Sequence, residues 1–211
     1  MRKITIFILF QVLFCGENIT FSQNFDINAL DKINDLPTHG FSRVVSNSAG
    51  FIDFGVPVAL AGVALIKSDD ILLKKSIYIG VSLGVNSFAT YAIKYSVRRP
   101  RPRVDYPDRI VWYENMTTNS FPSGHTSAAF NTATSITLAF PKWYVAVPSH
   151  IWAASVGYSR MNLGVHYPSD VICGAILGSA SAFLTYKINN WFWKTQNNKT
   201  LLGKQKDLVW Y

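Results

Sequence analysis

The sequence predicts an all-α protein, a membrane-spanning bundle of five to six core helices with a functional site at one end of the bundle. Five apolar runs, at 51–66, 76–93, 126–140, 143–158 and 171–186, are separated by shorter polar connectors. The chain is 49% hydrophobic with a mean hydropathy of +0.15, and its lysines gather in alternate connectors. These observations favour helices that run back and forth across a bilayer.

The first 22 residues are typical of an export signal or of an uncleaved first membrane helix. A short positive head precedes an apolar core at 4–14, and small residues at 20–22 offer a cleavage site. We therefore assign 1–22 to this segment, 23–190 to one helical-bundle domain, and 191–211 to a basic C-terminal tail.

The polar stretch 23–49 begins with apolar residues spaced like one side of a helix. These residues are Phe25, Ile27, Leu30, Ile33 and Leu36. The spacing predicts an amphipathic helix that lies on a membrane or on the bundle.

Each of the five apolar runs is slightly shorter than the ~20 residues needed to cross a bilayer upright. The runs also carry Asp53, Asn86, Asn131 and His150, which are costly in lipid. Taken one at a time, the runs therefore also fit buried helices of a soluble all-helical protein.

Charge placement favours the membrane. The connectors at 67–75 and 141–142 and the tail from 187 onward are rich in lysine, which places them in the cytoplasm by the positive-inside rule. A second basic cluster, at 94–103, then falls on the opposite side. These two groups account for the net charge of +8, so no nucleic acid partner is expected. Cys15 and Cys173 both lie in apolar segments and offer no disulfide framework.

The stretch 159–170 places a serine, an arginine, a histidine and an aspartate between two apolar runs. Pro168 is tolerated at a first helical position, so a helix should begin near Tyr167. His166 and Asp170 are then four residues apart, and the carboxylate can fix which imidazole nitrogen keeps its lone pair. His166 is a candidate nucleophile or base, although a pair that merely caps the helix explains the same residues.

Two upstream stretches supply partners for this histidine. At 121–126 a proline, a capping serine and a small residue precede helix formers, so backbone N–H groups should point at an anion. At 94–102 four cations stand beside two prolines. Lys94 and Arg101 can converge on one dianion, with arginine offering a bidentate fork, whereas a solvated basic loop is the alternative.

These three stretches together resemble the signature of the type 2 phosphatidic acid phosphatase superfamily. The superfamily includes lipid phosphate phosphatases, bacterial non-specific acid phosphatases and vanadium-dependent haloperoxidases. Its pattern is matched at eleven positions, Lys94, Arg101 and Pro102, then Pro122, Ser123, Gly124 and His125, then Ser159, Arg160, His166 and Asp170. A chance match of this length is negligible.

The resemblance implies a metal-independent phosphatase, acting on a phosphoric ester or a diphosphate. His166 would attack phosphorus and become phosphorylated while Asp170 orients it, and His125 would protonate the leaving alkoxide and then activate water. The phosphate-binding positions implied are Lys94, Arg101, Ser123, Gly124 and Arg160, supported by Pro102, Pro122 and Ser159, with Ser159 expected to support Arg160. No cofactor or metal is expected, and vanadate is an expected inhibitor.

Residues outside the matched positions receive weaker assignments. Arg98, Arg99 and Arg103 are expected at most to attract anionic lipid headgroups. The segment 103–120 is long enough to form a lid over the site or to dip aromatic side chains into lipid headgroups, and an ordinary solvent loop is the alternative.

The function expected first is removal of phosphate from a membrane lipid phosphate or diphosphate. The enzyme would lie in the cytoplasmic (inner) membrane with its site on the external, periplasmic side. A soluble periplasmic acid phosphatase and a vanadate-dependent haloperoxidase are the alternatives, and the short chain disfavours the haloperoxidase. A silent lipid-binding relative is disfavoured because no motif position is lost.

Overall fold

The computed structural model describes the backbone of residues 19–199 and the side chains of residues 25–192. The regular secondary structure of this part of the chain is entirely α-helical, without strands. Its helices are α1 (Ile19–Asn34), α2 (His39–Lys67), α3 (Asp70–Val97), the single turn α4 (Pro102–Asp105), α5 (Gly124–Ala139), α6 (Trp143–Asn162) and α7 (Pro168–Lys199). The predicted all-α bundle is confirmed. Most of the predicted export segment and of the C-terminal tail lies outside the described residues.

The five apolar runs correspond to α2, α3, α5, α6 and α7. Helix α2 starts at His39, well before the apolar run at 51–66, and its first part was not predicted to be helical. The buried residues of that part are Ser42, Ser46, Ala49 and Asp53. These residues are three or four positions apart and therefore lie on one face of the helix. Because they are small or polar, this buried face shows no apolar periodicity in the sequence.

Three segments are long and apolar enough to cross a membrane, namely His39–Lys67, Asp70–Asp105 and Pro168–Phe192. Apolar side chains cover their outer surfaces; Phe51 of α2, for example, is 82% exposed. Such exposure suits contact with lipid better than contact with water. Helix α5, only 16 residues long, packs among α2, α3, α6 and α7.

Helices α5 and α7 approach each other at two glycines. A Cβ atom built on Gly174 would lie 2.7 Å from the carbonyl oxygen of Ser123, and one on Gly178 would lie 2.1 Å from that of Ser127. Only glycine permits this approach. The N-termini of the two helices therefore lie side by side, and the Ser123 N–H donates to the carbonyl of Asp170 at 3.0 Å.

Helix α1 packs on the end of the bundle where α7 begins. Ile27 and Leu30 are buried in a cluster with Ile110 and Tyr167, whereas Phe25 on the same predicted stripe is exposed. Asn34 at the end of α1 donates to the carbonyls of Val111 and Asn162, at 3.1 and 3.0 Å. The amphipathic helix thus lies against the bundle and joins two of its loops.

Candidate active site

The three motif stretches meet at one end of the bundle, around a cavity of about 400 Å³. Lys94 comes from the last turn of α3, Arg101 precedes α4, Gly124 and His125 open α5, and His166 precedes α7. All five residues line the cavity. The fold therefore brings together the three motif stretches, including residues as distant in sequence as Lys94 and His166, as the motifs predict.

His166 is buried against Asp170 on one side and faces the cavity on the other. Its Nδ1 lies 3.6 Å from Asp170 Oδ2 and 3.4 Å from the hydroxyl of Ser120, which itself donates to the same carboxylate oxygen at 2.5 Å. Its Nε2 lies 3.4 Å from Arg101 Nη1. Burial lowers the pKa of His166 to about 3, against the opposing effect of the Asp170 carboxylate. The imidazole is therefore neutral at pH 7 and keeps a lone pair.

Asp170 is held by several donors besides Ser120. Arg99 Nη1 donates to its Oδ1 at 2.8 Å, and the backbone N–H of Tyr167 donates to Oδ2 at 3.0 Å. Arg99 lies 3.9 Å above the Tyr167 ring and also donates to Asp26 at 3.0 Å. Arg99 was expected only to attract lipid headgroups. It instead forms a two-sided ion pair that fixes the carboxylate behind His166.

Asp26 of α1 completes this arrangement and was not predicted. It is 4% exposed, and its Oδ1 accepts a hydrogen bond from the backbone N–H of Ser169 at 3.0 Å. The Ser169 hydroxyl donates to its other carboxylate oxygen. One signal was present in the sequence, because Asp26 stands four residues from the buried Leu30 and therefore on the apolar face of α1. An acid on such a face needs a partner.

Lys94 and Arg101 both bind backbone carbonyls beside the cavity. Lys94 Nζ donates to the carbonyls of Asn119 and Pro122, at 2.7 and 2.9 Å. Arg101 donates to the carbonyls of Thr118 and Val165, each at 2.7 Å. The two cations thus hold the loops that precede His125 and His166 while contributing positive charge to the cavity.

Arg160 is completely buried and only partly paired. Its Nη1 donates to Glu114 at 2.8 Å and to the hydroxyl of Ser46. Its Nε and Nη2 find no hydrogen-bond partner within residues 25–192. Buried N–H groups without partners are rare and costly, so these two are suited to bind an anion. Glu114 belongs to the segment 103–120, where sequence reasoning identified no partner for Arg160.

The remaining motif residues lie near the cavity with different contacts. The Ser123 hydroxyl pairs with Thr126 Oγ1 at 2.8 Å, so Gly124 rather than Ser123 lines the cavity. The Ser159 hydroxyl donates to the carbonyl of Val156 in its own helix at 2.7 Å. The contact expected between Ser159 and Arg160 is therefore not formed. Pro102 opens α4, and Pro122 supplies a carbonyl to Lys94.

The segment 103–120 packs on the bundle as a cover rather than extending into solvent. Ile110 within it is buried, and the Tyr113 N–H donates to the carbonyl of Leu163 at 3.2 Å. Met116 and Thr118 line the cavity itself. The segment therefore contributes to the wall of the cavity.

Known proteins share this sequence pattern and this fold. The chain is 32% identical over 124 residues to the undecaprenyl-diphosphatase of Sulfolobus acidocaldarius, covering 57% of this chain and 60% of that protein. It is 37% identical over 68 residues to the lipid A 4'-phosphatase of Bacteroides thetaiotaomicron, covering 32% of this chain and 30% of that protein. The chain thus spans less than two thirds of the length of each of these relatives.

A solved structure matches nearly the whole fold. The transmembrane PAP2 type phosphatidylglycerolphosphate phosphatase from Bacillus subtilis superposes with a TM-score of 0.67 at 22% identity, covering 95% of this chain and 98% of that one. The sequence model of the PAP2 superfamily matches residues 75–194, which contain all three motif stretches. With more than half of its residues matched, the chain belongs to the PAP2 superfamily.

Proposed function

We propose that this protein is a metal-independent phosphatase that removes phosphate from a membrane lipid phosphate or diphosphate through a phosphohistidine intermediate. The observation that carries the proposal is the fully buried Arg160, whose Nε and Nη2 have no hydrogen-bond partner among residues 25–192 and whose positive charge acts on the neutral His166. Membership of the PAP2 superfamily supports the same chemistry.

In the proposed reaction, Nε2 of His166 attacks phosphorus in line and the bond from phosphorus to the leaving oxygen breaks. The negative charge of the bound phosphate favours the protonated form of His125, which gives its proton to that oxygen. Asp170 stabilises the positive charge that His166 acquires. Arg160 and the Gly124 N–H bind the equatorial oxygens, where charge is spread in the transition state. His125 then takes a proton from the water that attacks the phosphohistidine, releasing phosphate and restoring both histidines.

The shape of the cavity supports a lipid substrate. Besides the motif residues it is lined by Phe54 of α2 and Tyr91 of α3, which are 66% and 53% exposed on the outside of the bundle. The cavity therefore opens sideways between two helices that are candidate membrane spans. A lipid could place its phosphate at His166 while its chains remain in the bilayer.

The proposal is tested by phosphate release from purified full-length protein in detergent. The substrates are phosphatidate, phosphatidylglycerophosphate, a polyprenyl diphosphate and a lipid A phosphate. We expect turnover of at least one lipid that persists in a metal chelator and is inhibited by vanadate. No release from any lipid would contradict the proposal, and halide oxidation by peroxide in the presence of vanadate would favour a haloperoxidase instead.

We also propose that the site lies on the external face of the cytoplasmic membrane. The lysines that mark the opposite face are Lys67, Lys74, Lys75, Lys142 and Lys187, with further lysines in the tail. In a background of Cys15→Ser and Cys173→Ser, cysteines are introduced at the exposed positions Asp108 and Asp70. We expect a membrane-impermeant thiol reagent to label Asp108→Cys in intact cells, and Asp70→Cys only after the membrane is opened. The reverse pattern would place the site on the cytoplasmic face.

A further inference from the structure

The cavity continues from the phosphate end into the bundle interior. On α3 its lining extends from Lys94 through Thr90 and Asn86 to Leu83. At 1.5 Å per residue, Asn86 lies about 12 Å along the helix from Lys94. The inner part of the cavity is thus lined by apolar side chains of α2 and α3 and by a few polar side chains.

Asn86 presents an unpaired donor to this inner part. It is 1% exposed, and its Oδ1 accepts a hydrogen bond from the Ser127 hydroxyl at 2.8 Å. Its Nδ2 has no hydrogen-bond partner in the part of the chain whose side chains are described, and the residue lines the cavity. An amide donor that faces a cavity without a protein partner is available to a ligand that supplies an acceptor.

Asp53 of α2 lines the same part of the cavity. It is 3% exposed, and Thr132 donates to its Oδ1 at 2.6 Å. Its Oδ2 has no hydrogen-bond partner among residues 25–192. The inner cavity therefore contains two incompletely satisfied polar side chains, contributed by the two helices between which the cavity opens.

Asn131, a buried asparagine outside the cavity lining, differs from Asn86 because its side-chain amide has partners for both Nδ2 and Oδ1. Asn131 of α5 donates to the Ser82 hydroxyl at 2.9 Å and to the Gly178 carbonyl at 3.2 Å, and its Oδ1 accepts from Ser82 at 3.3 Å. Asn131 therefore links α5 to α3 and α7, and both its Nδ2 and its Oδ1 are hydrogen-bonded. Asn86 uses only its acceptor, so bundle packing alone does not account for its amide.

The depth of Asn86 indicates which substrate group it meets. Its partner Ser127 follows Gly124 by three residues of α5, a rise of about 4.5 Å from the turn that faces the phosphate. Measured from Gly124 at the N-terminus of α5, and not from the backbone of Lys94, Asn86 therefore lies about one helical turn inside the phosphate end of the cavity. An ester or amide carbonyl of an acylated lipid phosphate lies a few bonds from phosphorus and can reach that depth. A polyprenyl monophosphate offers only hydrocarbon at that depth. A polyprenyl diphosphate would bring its second phosphate into the part of the cavity lined by the Asp53 carboxylate, an unfavourable approach of like charges.

We propose that Asn86 forms a subsite in which its Nδ2 donates a hydrogen bond to the acyl carbonyl of an acylated lipid phosphate. This assignment rests on the phosphatase function proposed above and specifies its substrate class. The subsite selects lipids in which the hydrophobic chains are attached through ester or amide groups.

The test uses two substrates that differ only at the carbonyl, a diacylglycerol phosphate and the ether-linked dialkylglycerol phosphate. For the wild-type protein we expect kcat/KM to be about tenfold higher for the ester lipid, because the ether offers no carbonyl to Asn86. In Asn86→Leu the ester-to-ether ratio should fall to near one, chiefly through KM for the ester lipid. Asn86→Asp keeps the acceptor for Ser127 but removes the donor, and it should lower the ratio as well.

Asn131→Leu is the matched control, since it removes an amide from the bundle core outside the cavity lining. It should lower thermal stability while leaving the ester-to-ether ratio unchanged. Equal kcat/KM for the two lipids in the wild-type protein would overturn the subsite while leaving phosphatase activity established. Release from a polyprenyl phosphate alone would overturn it as well, whereas no release from any lipid would overturn the phosphatase function and the subsite together.

Discussion

His166→Ala is expected to lower kcat/KM by at least ~10³. The reason is that His166 combines a lone pair, a cavity-facing Nε2 and a carboxylate behind Nδ1. Alanine removes the group on which the covalent intermediate forms. The measurement is phosphate release under single-turnover conditions, together with trapping of acid-labile phosphate on histidine in the unsubstituted protein.

His150→Ala is the control for this substitution. His150 lies on α6 and bonds a carbonyl of its own helix at 2.9 Å, away from the cavity lining. It should retain full activity. Near-normal turnover by His166→Ala, or labelled phosphate on a residue other than histidine, would remove His166 from the role of nucleophile.

His125→Ala is expected to reduce hydrolysis of a lipid phosphate by roughly 10² or more, with a much smaller loss on an aryl phosphate. An alkoxide is a poor leaving group and needs a proton from His125, whereas an aryl oxide leaves without help. His125 lines the same cavity as His166 but stands at the start of α5, so the two histidines can act on opposite sides of phosphorus. The measurement is kcat for both substrates in the wild-type protein and in each variant.

The comparison between the two histidine variants separates their roles. His166→Ala should reduce turnover of the lipid and of the aryl phosphate equally, because both require the same nucleophile. If the two variants showed the same dependence on the leaving group, the assignment of acid and nucleophile would be wrong.

The motif stretches predicted five of the residues that line the cavity, and the apolar runs predicted the helices that form the bundle around it. The prediction of the site residues rests on the eleven-position resemblance to the phosphatase signature. The prediction of the helices rests on short-range patterns, such as apolar periodicity and a proline at the start of α7. Such patterns are set by local helical geometry and can be read directly from the chain.

The contacts that hold the site were harder to predict because their partners are remote in sequence. Arg99 joins Asp26 and Asp170, across 73 and 71 residues, and Glu114 reaches Arg160 across 46 residues. A charged residue outside a known motif resembles any surface charge until the fold brings its partner near. The start of α2 was missed for a different reason, because its buried face is made of serine and alanine.

The close approach of α5 to α7 at Gly174 and Gly178 limits how this protein can diverge over evolutionary time. Adding one methyl group at either position would separate the helices whose first turns carry His125 and Asp170. We therefore expect natural selection to remove substitutions at these two positions, because they would displace catalytic residues even though neither glycine lines the cavity. The outward-facing side chains of α2, by contrast, can be replaced by other apolar side chains at little cost in stability. Inherited variation should therefore accumulate on the surface of the bundle, while the contact between α5 and α7 stays unchanged.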